Sequence, residues 1–189
     1  MPGDRAKLRG TVLAEDRRHE RFFRELLVHL GFNINKLTFR TAPSGRGDAK
    51  AWVRAQYPHE AGLLRRKIYQ QLFLVAVRDG DNDGVTERKA DLDDALRESG
   101  LNPRQKDERI ATPVPTWSIE TWMLALLGDH TVDESVSRKQ DFEHRYPGRE
   151  ERQALRDAAQ AWRDEADRIP PLPSLADGKS EMNRIDFAG

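Results

Sequence analysis

Asp79, Gly80 and Asp81 place two carboxylates two residues apart, just beyond the apolar run Leu72-Phe73-Leu74-Val75-Ala76-Val77. Alternate side chains of an extended chain point the same way, so both acids can approach one hard cation, and Gly80 permits a sharp turn. Asp83 offers a further oxygen, directly or through water. A second apolar run, Thr11-Val12-Leu13-Ala14, stops at Glu15. Three carboxylates brought together repel one another unless a proton or a divalent cation intervenes. An oxygen-only site with few ligands suits Mg2+ (or Mn2+), with water and a substrate phosphate completing the octahedron. The plainer reading is a turn whose aspartates cap the helix starting near Val85.

A calcium loop is the other reading of the same acids. Asp79, Asp81, Asp83 and Gly84 fit the first half of an EF-hand loop, but Thr86 stands at the eighth position and Ala90 where a bidentate Glu is required. The preceding segment also reads as a strand rather than a helix, so the EF-hand is set aside.

These acids need strands to carry them. Residues 72–77 lack alternation and fit a strand buried on both faces, as does 11–14, whereas 32–39 alternates like a strand nearer an edge. Phe22, Phe23, Leu26, Leu27 and Leu30 share one helical face that ends at Gly31. Residues 42–48 form a loop by composition, followed by a helical region to about Tyr69, broken near Pro58. A polar helix over about 86–99 and a strand over 110–115 follow. The spacing then predicts a helix capped by Ser118 and another over about 150–168, with an extended tail from Pro170. Strands alternating with helices predict an α/β sandwich with a mostly parallel four-stranded sheet, whose sites lie at the carboxyl ends of its strands. Residues 1–128 make the α/β domain, 129–169 a helical extension packed on it and 170–189 the tail.

The 189 residues are 37% hydrophobic and 34% charged, which suits a soluble chain able to build a core. No apolar run approaches the ~18–20 residues of a membrane helix. The basic start has no apolar segment of a signal peptide, and without cysteine neither a disulfide scaffold nor a thiolate zinc site is available. A cytoplasmic location is expected. The formal net charge of zero is unevenly spread: residues 1–70 hold 15 Lys/Arg against 7 Asp/Glu, and residues 71–100 hold 4 against 8. A basic first third beside an acidic patch suits a metal site that handles a polyanion.

The string Leu13-Ala14-Glu15-Asp16-Arg17-Arg18-His19-Glu20-Arg21-Phe22, with the later Asp79-Gly80-Asp81, resembles the TOPRIM domain of topoisomerases, primases, small maturation ribonucleases and OLD-type (overcoming lysogenization defect) nucleases. It is closest in style to the OLD-like group and the small stand-alone TOPRIM proteins of bacterial defence loci, over roughly residues 10–128. Asp16 replaces the Gly usual after the first acid, and His19 or Glu20 stands where a second acid falls. The resemblance implies a Rossmann-like sandwich in which Glu15 is a metal ligand or general acid/base and Asp79 and Asp81 hold catalytic Mg2+ or Mn2+. It implies Glu20 as an outer ligand of a second ion. Thr116-Trp117-Ser118-Ile119-Glu120-Thr121-Trp122 looks like the Ile-Glu-x-Trp segment of related small proteins, making Glu120 a site acid; its plainer role is to complement a helix dipole.

The implied activity is metal-dependent hydrolysis of nucleic acid, working beside an ABC- or OLD-type ATPase in antiviral defence. This chain itself has no P-loop. A non-catalytic TOPRIM-like binding subunit, an RNA-maturation nuclease and a phosphotransferase using Asp79 as nucleophile stay open. Lys36, Arg40, Arg46, Lys50 and Arg54 straddle the glycine-containing loop and can grip a phosphate backbone. The five histidines lack metal-ligand spacing, and only His19 stands near the acids.

Overall fold

Arg9–Ala14 (β1) and Leu72–Val77 (β3) pair in parallel because both are apolar runs that can be covered on two faces. The structure is a computed structural model that describes residues 5–43, 49–163 and 171–186. Leu37–Thr41 (β2) joins β1 on one side, and Ile110–Ala111 (β4) joins β3 on the other, giving a four-stranded parallel sheet in the order β2-β1-β3-β4. The α/β class and parallel sheet expected from the sequence are therefore present.

Between and after the strands, in chain order, come α1 (Arg17–His29), α2 (Ala49–Arg66), α3 (Gly84–Glu98), α4 (Ile119–Leu126), α5 (Lys139–Arg145), α6 (Glu150–Ala161) and α7 (Pro173–Asn183). Strand alternation divides the interior in two. Val12, Ala14, Phe73, Val75 and Val77 face a core shared with α1, α4, α6 and α7, while Leu13, Leu74 and Ala76 face α2 and α3. Phe22, Phe23, Leu26 and Leu27 of α1 are fully buried, and each such side chain contributes about 1.5–3 kcal/mol. No helix among the described residues is long and apolar enough to cross a membrane.

Several elements differ from the sequence expectations. The alternating segment 32–39 is a 3-10 turn at Ile34–Lys36 followed by β2, which extends to Thr41. Pro58 lies inside α2 without ending it. Its missing hydrogen bond is outweighed by Val53, Tyr57 and Ala61, one buried stripe that holds the helix against the sheet. The strand over 110–115 shrinks to two residues, because Pro113 and Pro115 cannot donate to a ladder. The expected extended tail contains α7 instead, with Pro173 in its first turn, where a missing N–H costs nothing. Leu172, Leu175, Met182 and Ile185 complete the α1-side core. Gly178 admits the Trp122 ring: a Cβ there would lie 2.2 Å from Trp122 Cη2.

Candidate active site

Glu15 and Asp79 extend from the carboxyl ends of the two central strands, whose last residues Ala14 and Val77 are in register. Glu15 Oε2 accepts the Asp79 N–H at 3.1 Å, so the two acids meet as their positions after β1 and β3 predict. Burial and the neighbouring Asp79 push the Glu15 carboxyl above its ordinary pKa, and Asp81 adds to the push. Burial raises Asp79 as well; the attraction of His19 opposes this, while Glu120 and Asp16 add repulsion.

Asp16 caps α1, its Oδ1 accepting the backbone N–H of Arg18 and His19 at 2.8 and 2.9 Å. The His19 ring is fully buried, with Nδ1 2.9 Å from Asp16 Oδ1 and Nε2 2.8 Å from Asp79 Oδ1. Both nitrogens face carboxylates, so both donate and the ring is an imidazolium. Burial disfavours that charge, yet Asp79 and Asp16 outweigh it and hold the pKa well above the ordinary value. Asp16 is correspondingly held far below the usual carboxylate range, burial being overcome by the His19 hydrogen bonds and charge.

The second aspartate is placed differently from the alternation argument. Beyond Val77 the chain leaves the extended state and turns, with the N–H groups of Asp83 and Gly84 donating to Gly80 O at 3.1 and 3.0 Å. Asp81 takes a left-handed backbone (φ 44°) and forms an isolated antiparallel bridge with Trp117, which is also left-handed (φ 64°). Gly80 donates to Pro115 O at 2.8 Å, an approach that leaves a Cβ only 3.0 Å from that oxygen. Arg88 Nη2 stands 3.5 Å from Asp81 Oδ2 and 2.8 Å from Asp83 Oδ2. Asp79 thus turns to His19 while Asp81 and Asp83 turn to Arg88. Asp83 occupies the N-cap position of α3 but makes no side-chain cap bond.

Glu120 is buried at the start of α4, within electrostatic reach of Asp79. It pairs with Arg18, whose guanidinium also meets Glu151 at 3.1 Å and Glu143 at 3.2 Å and lies over the Phe142 ring. Ser118 stands at the N-cap as the spacing predicts, although its hydroxyl makes no capping bond. Glu20 points away into an ion pair with Arg24 one turn along α1, at 2.9 Å, so an outer-ligand role does not follow from its placement.

The basic cluster is also not what residue type suggests. Arg40 pairs with Glu60, and Arg54 with Asp91 at 2.6 Å and Glu98 at 2.7 Å. Lys36 Nζ reaches Lys7 O at 3.5 Å. Arg46 and the Lys50 side chain lie outside the described residues. Positive charge beside the acids comes from elsewhere. An open cavity of about 470 Å³ is lined by Glu15 and Asp16 together with Arg17, Arg18, Arg21 and Lys139. Arg18 and His19 are the site residues that sequence reasoning weighed least; the Asp-x-x-His spacing from N-cap to N3 was their one visible sign.

Among the described residues no three histidine or carboxylate side chains are grouped as in a preformed metal cage. Mg2+ does not require one, since it keeps several waters and is held by one or two carboxylates plus substrate oxygens. Glu15 Oε1 and Asp79 Oδ2 make no hydrogen bond among the described residues, each carboxylate being engaged through its other oxygen. Two such oxygens from adjacent strands are of the donor type that Mg2+ takes. Compared with known proteins, the chain matches no family model, no curated protein and no solved structure.

Proposed function

We propose that this chain is a TOPRIM-like hydrolase that cleaves phosphodiester bonds of nucleic acid with Mg2+ or Mn2+. The observation that carries the proposal is the junction of Glu15 with Asp79 at the ends of the two central parallel strands, each with one oxygen uncommitted. A divalent ion bound there supplies an activated water and offsets phosphate charge. Asp79 is held in one orientation by the His19 ring, so its open oxygen is presented without side-chain reorganisation. Glu15, raised above its ordinary pKa by burial and by the neighbouring Asp79, is the acid best suited to take and return a proton. These 189 residues hold no P-loop, and by the resemblance an ATPase of the ABC or OLD type supplies any nucleotide-driven step.

The test is cleavage of single- and double-stranded DNA and RNA in Mg2+, in Mn2+ and in EDTA. Glu15→Gln and Asp79→Asn each lower metal-dependent cleavage by at least a hundredfold while the circular dichroism spectrum stays that of wild type. Equal cleavage by folded variants would move the activity to other residues.

A non-catalytic binding subunit is the second reading. It is favoured by the pairing of Glu120 with Arg18, of Asp83 with Arg88 and of Asp79 with His19, which offsets much of the acidic charge without a metal. Nucleic-acid binding with no cleavage in either metal selects it.

A further inference from the structure

We infer that the phosphate backbone of a nucleic acid reaches this centre across a cationic wall made by Arg17, Arg21 and Lys139, an inference that rests on the hydrolase reading above. The cavity beside Glu15 and Asp16 is bounded on one side by the first turns of α1 and on the other by the start of α5. The four acids of its lining are engaged: Glu143 and Glu151 meet Arg18, Asp16 meets the buried His19, and Glu15 accepts the Asp79 N–H. That leaves three cations facing the opening.

Arg17 and Lys139 are exposed and pair with no carboxylate among the described residues. Arg21 keeps 45% of its side chain exposed and approaches Glu151 only at 4.0 Å. Arg17 and Arg21 are one helical turn apart, so their stems rise side by side, ~5–6 Å apart at Cβ, and can take neighbouring phosphates. Lys139 stands across the cavity as a point charge on a flexible stem. The same helix that presents Arg17 and Arg21 carries His19, which fixes Asp79, so the backbone grip and the acids share one rigid support. Arg40 and Arg54 lack this availability, because carboxylates already hold them.

Contacts of this kind position a chain without reading its bases, so the ligand is a polyanionic strand of any sequence rather than a particular base or a lone phosphate. Binding of a labelled twelve-nucleotide strand, measured by fluorescence anisotropy in EDTA over a series of salt concentrations, tests the inference apart from cleavage. The triple variant Arg17→Ala, Arg21→Ala, Lys139→Ala weakens binding at least tenfold at low salt. It also flattens the log-affinity against log-salt line by about two units, at ~0.7 per lost phosphate contact. All three side chains are on the surface, and an unchanged unfolding midpoint verifies the fold. Lys106→Ala, an exposed residue in the loop leading into the start of β4, leaves the slope alone. An unchanged slope in the triple variant overturns the inference, as does a mononucleotide that binds wild type as tightly as the twelve-mer. A flattened slope in a protein that never cleaves in Mg2+ or Mn2+ upholds the wall and overturns the hydrolase reading alone.

Discussion

His19 Nε2 lies 2.8 Å from Asp79 Oδ1, joining the first turn of α1 to the loop after β3 through a ring with no exposure to solvent. The contact spans 60 residues of sequence and ties an acid of the candidate site to the cap of a neighbouring helix.

Removing this ring leaves Asp79 buried without its cation. His19→Leu, which keeps bulk and discards both donors, is expected to destabilise the protein by about 3–5 kcal/mol, the cost of breaking one side of a buried pair. Urea unfolding measures it. A loss below about 1 kcal/mol would show that solvent, rather than His19, satisfies Asp79.

Glu181 on α7 governs part of the acid sensitivity. It accepts from Arg104 Nη2 at 3.0 Å and from Thr112 N at 2.9 Å, with Lys89 Nζ at 3.2 Å. Burial by itself raises this carboxyl, but the Arg104 hydrogen bonds and charge, with Thr112 and Lys89, hold it down at about 2 against an ordinary 4.5. A depressed pKa stabilises the fold above the unfolded-state value and loses that contribution as pH falls through the window from about 4.5 to about 2. At ~1.4 kcal/mol per unit the contribution near neutrality is roughly 3 kcal/mol. The stability gap between wild type and Glu181→Gln should therefore close as pH falls from 5 to 2. A gap constant over that range assigns the acid response to other groups.

The Asp81–Trp117 bridge pairs two left-handed residues that are not glycine, each costing ~1–3 kcal/mol. Asp81→Gly relieves one of them while giving up the carboxylate's contacts, Arg88 at 3.5 Å among them, so it is expected to be more stable than Asp81→Val by ~1 kcal/mol. Asp81→Val keeps the size and keeps the strain, and it should lower the midpoint. If the glycine variant also loses metal-dependent cleavage, stability and activity are opposed at this position. A glycine variant less stable than the valine one would show that the backbone is not strained there.

Strand ends are readable because β1 closes on Val12-Leu13-Ala14 and β3 is apolar throughout, and an acid after each needs only register to meet the other. What could not be read depended on partners far along the chain. Arg40 and Arg54 look like phosphate grips until Glu60 and Asp91, 20 and 37 residues on, are seen to face them. The alternation that should have aimed Asp79 and Asp81 together holds only in extended chain, and the turn closed on Gly80 O ends it. Prolines clustered at the start of the α7 segment suggest an extended chain, although Pro173 belongs in a first turn. The short and highly charged α5 carries too little apolar pattern to be predicted, and it supplies Lys139 to the cavity.

Arg5 and Asp186 form an ion pair across 181 residues, and Leu8 and Ile185 lie in one core with Phe22 and Trp122. Contacts of such sequence separation carry a high loop-closure cost, so this side of the core is completed only when residues 172–185 join residues 8–27. Until α7 docks, α1 and α4 keep apolar surface uncovered. Chains stalled before α7 would be substrates for chaperones and proteases.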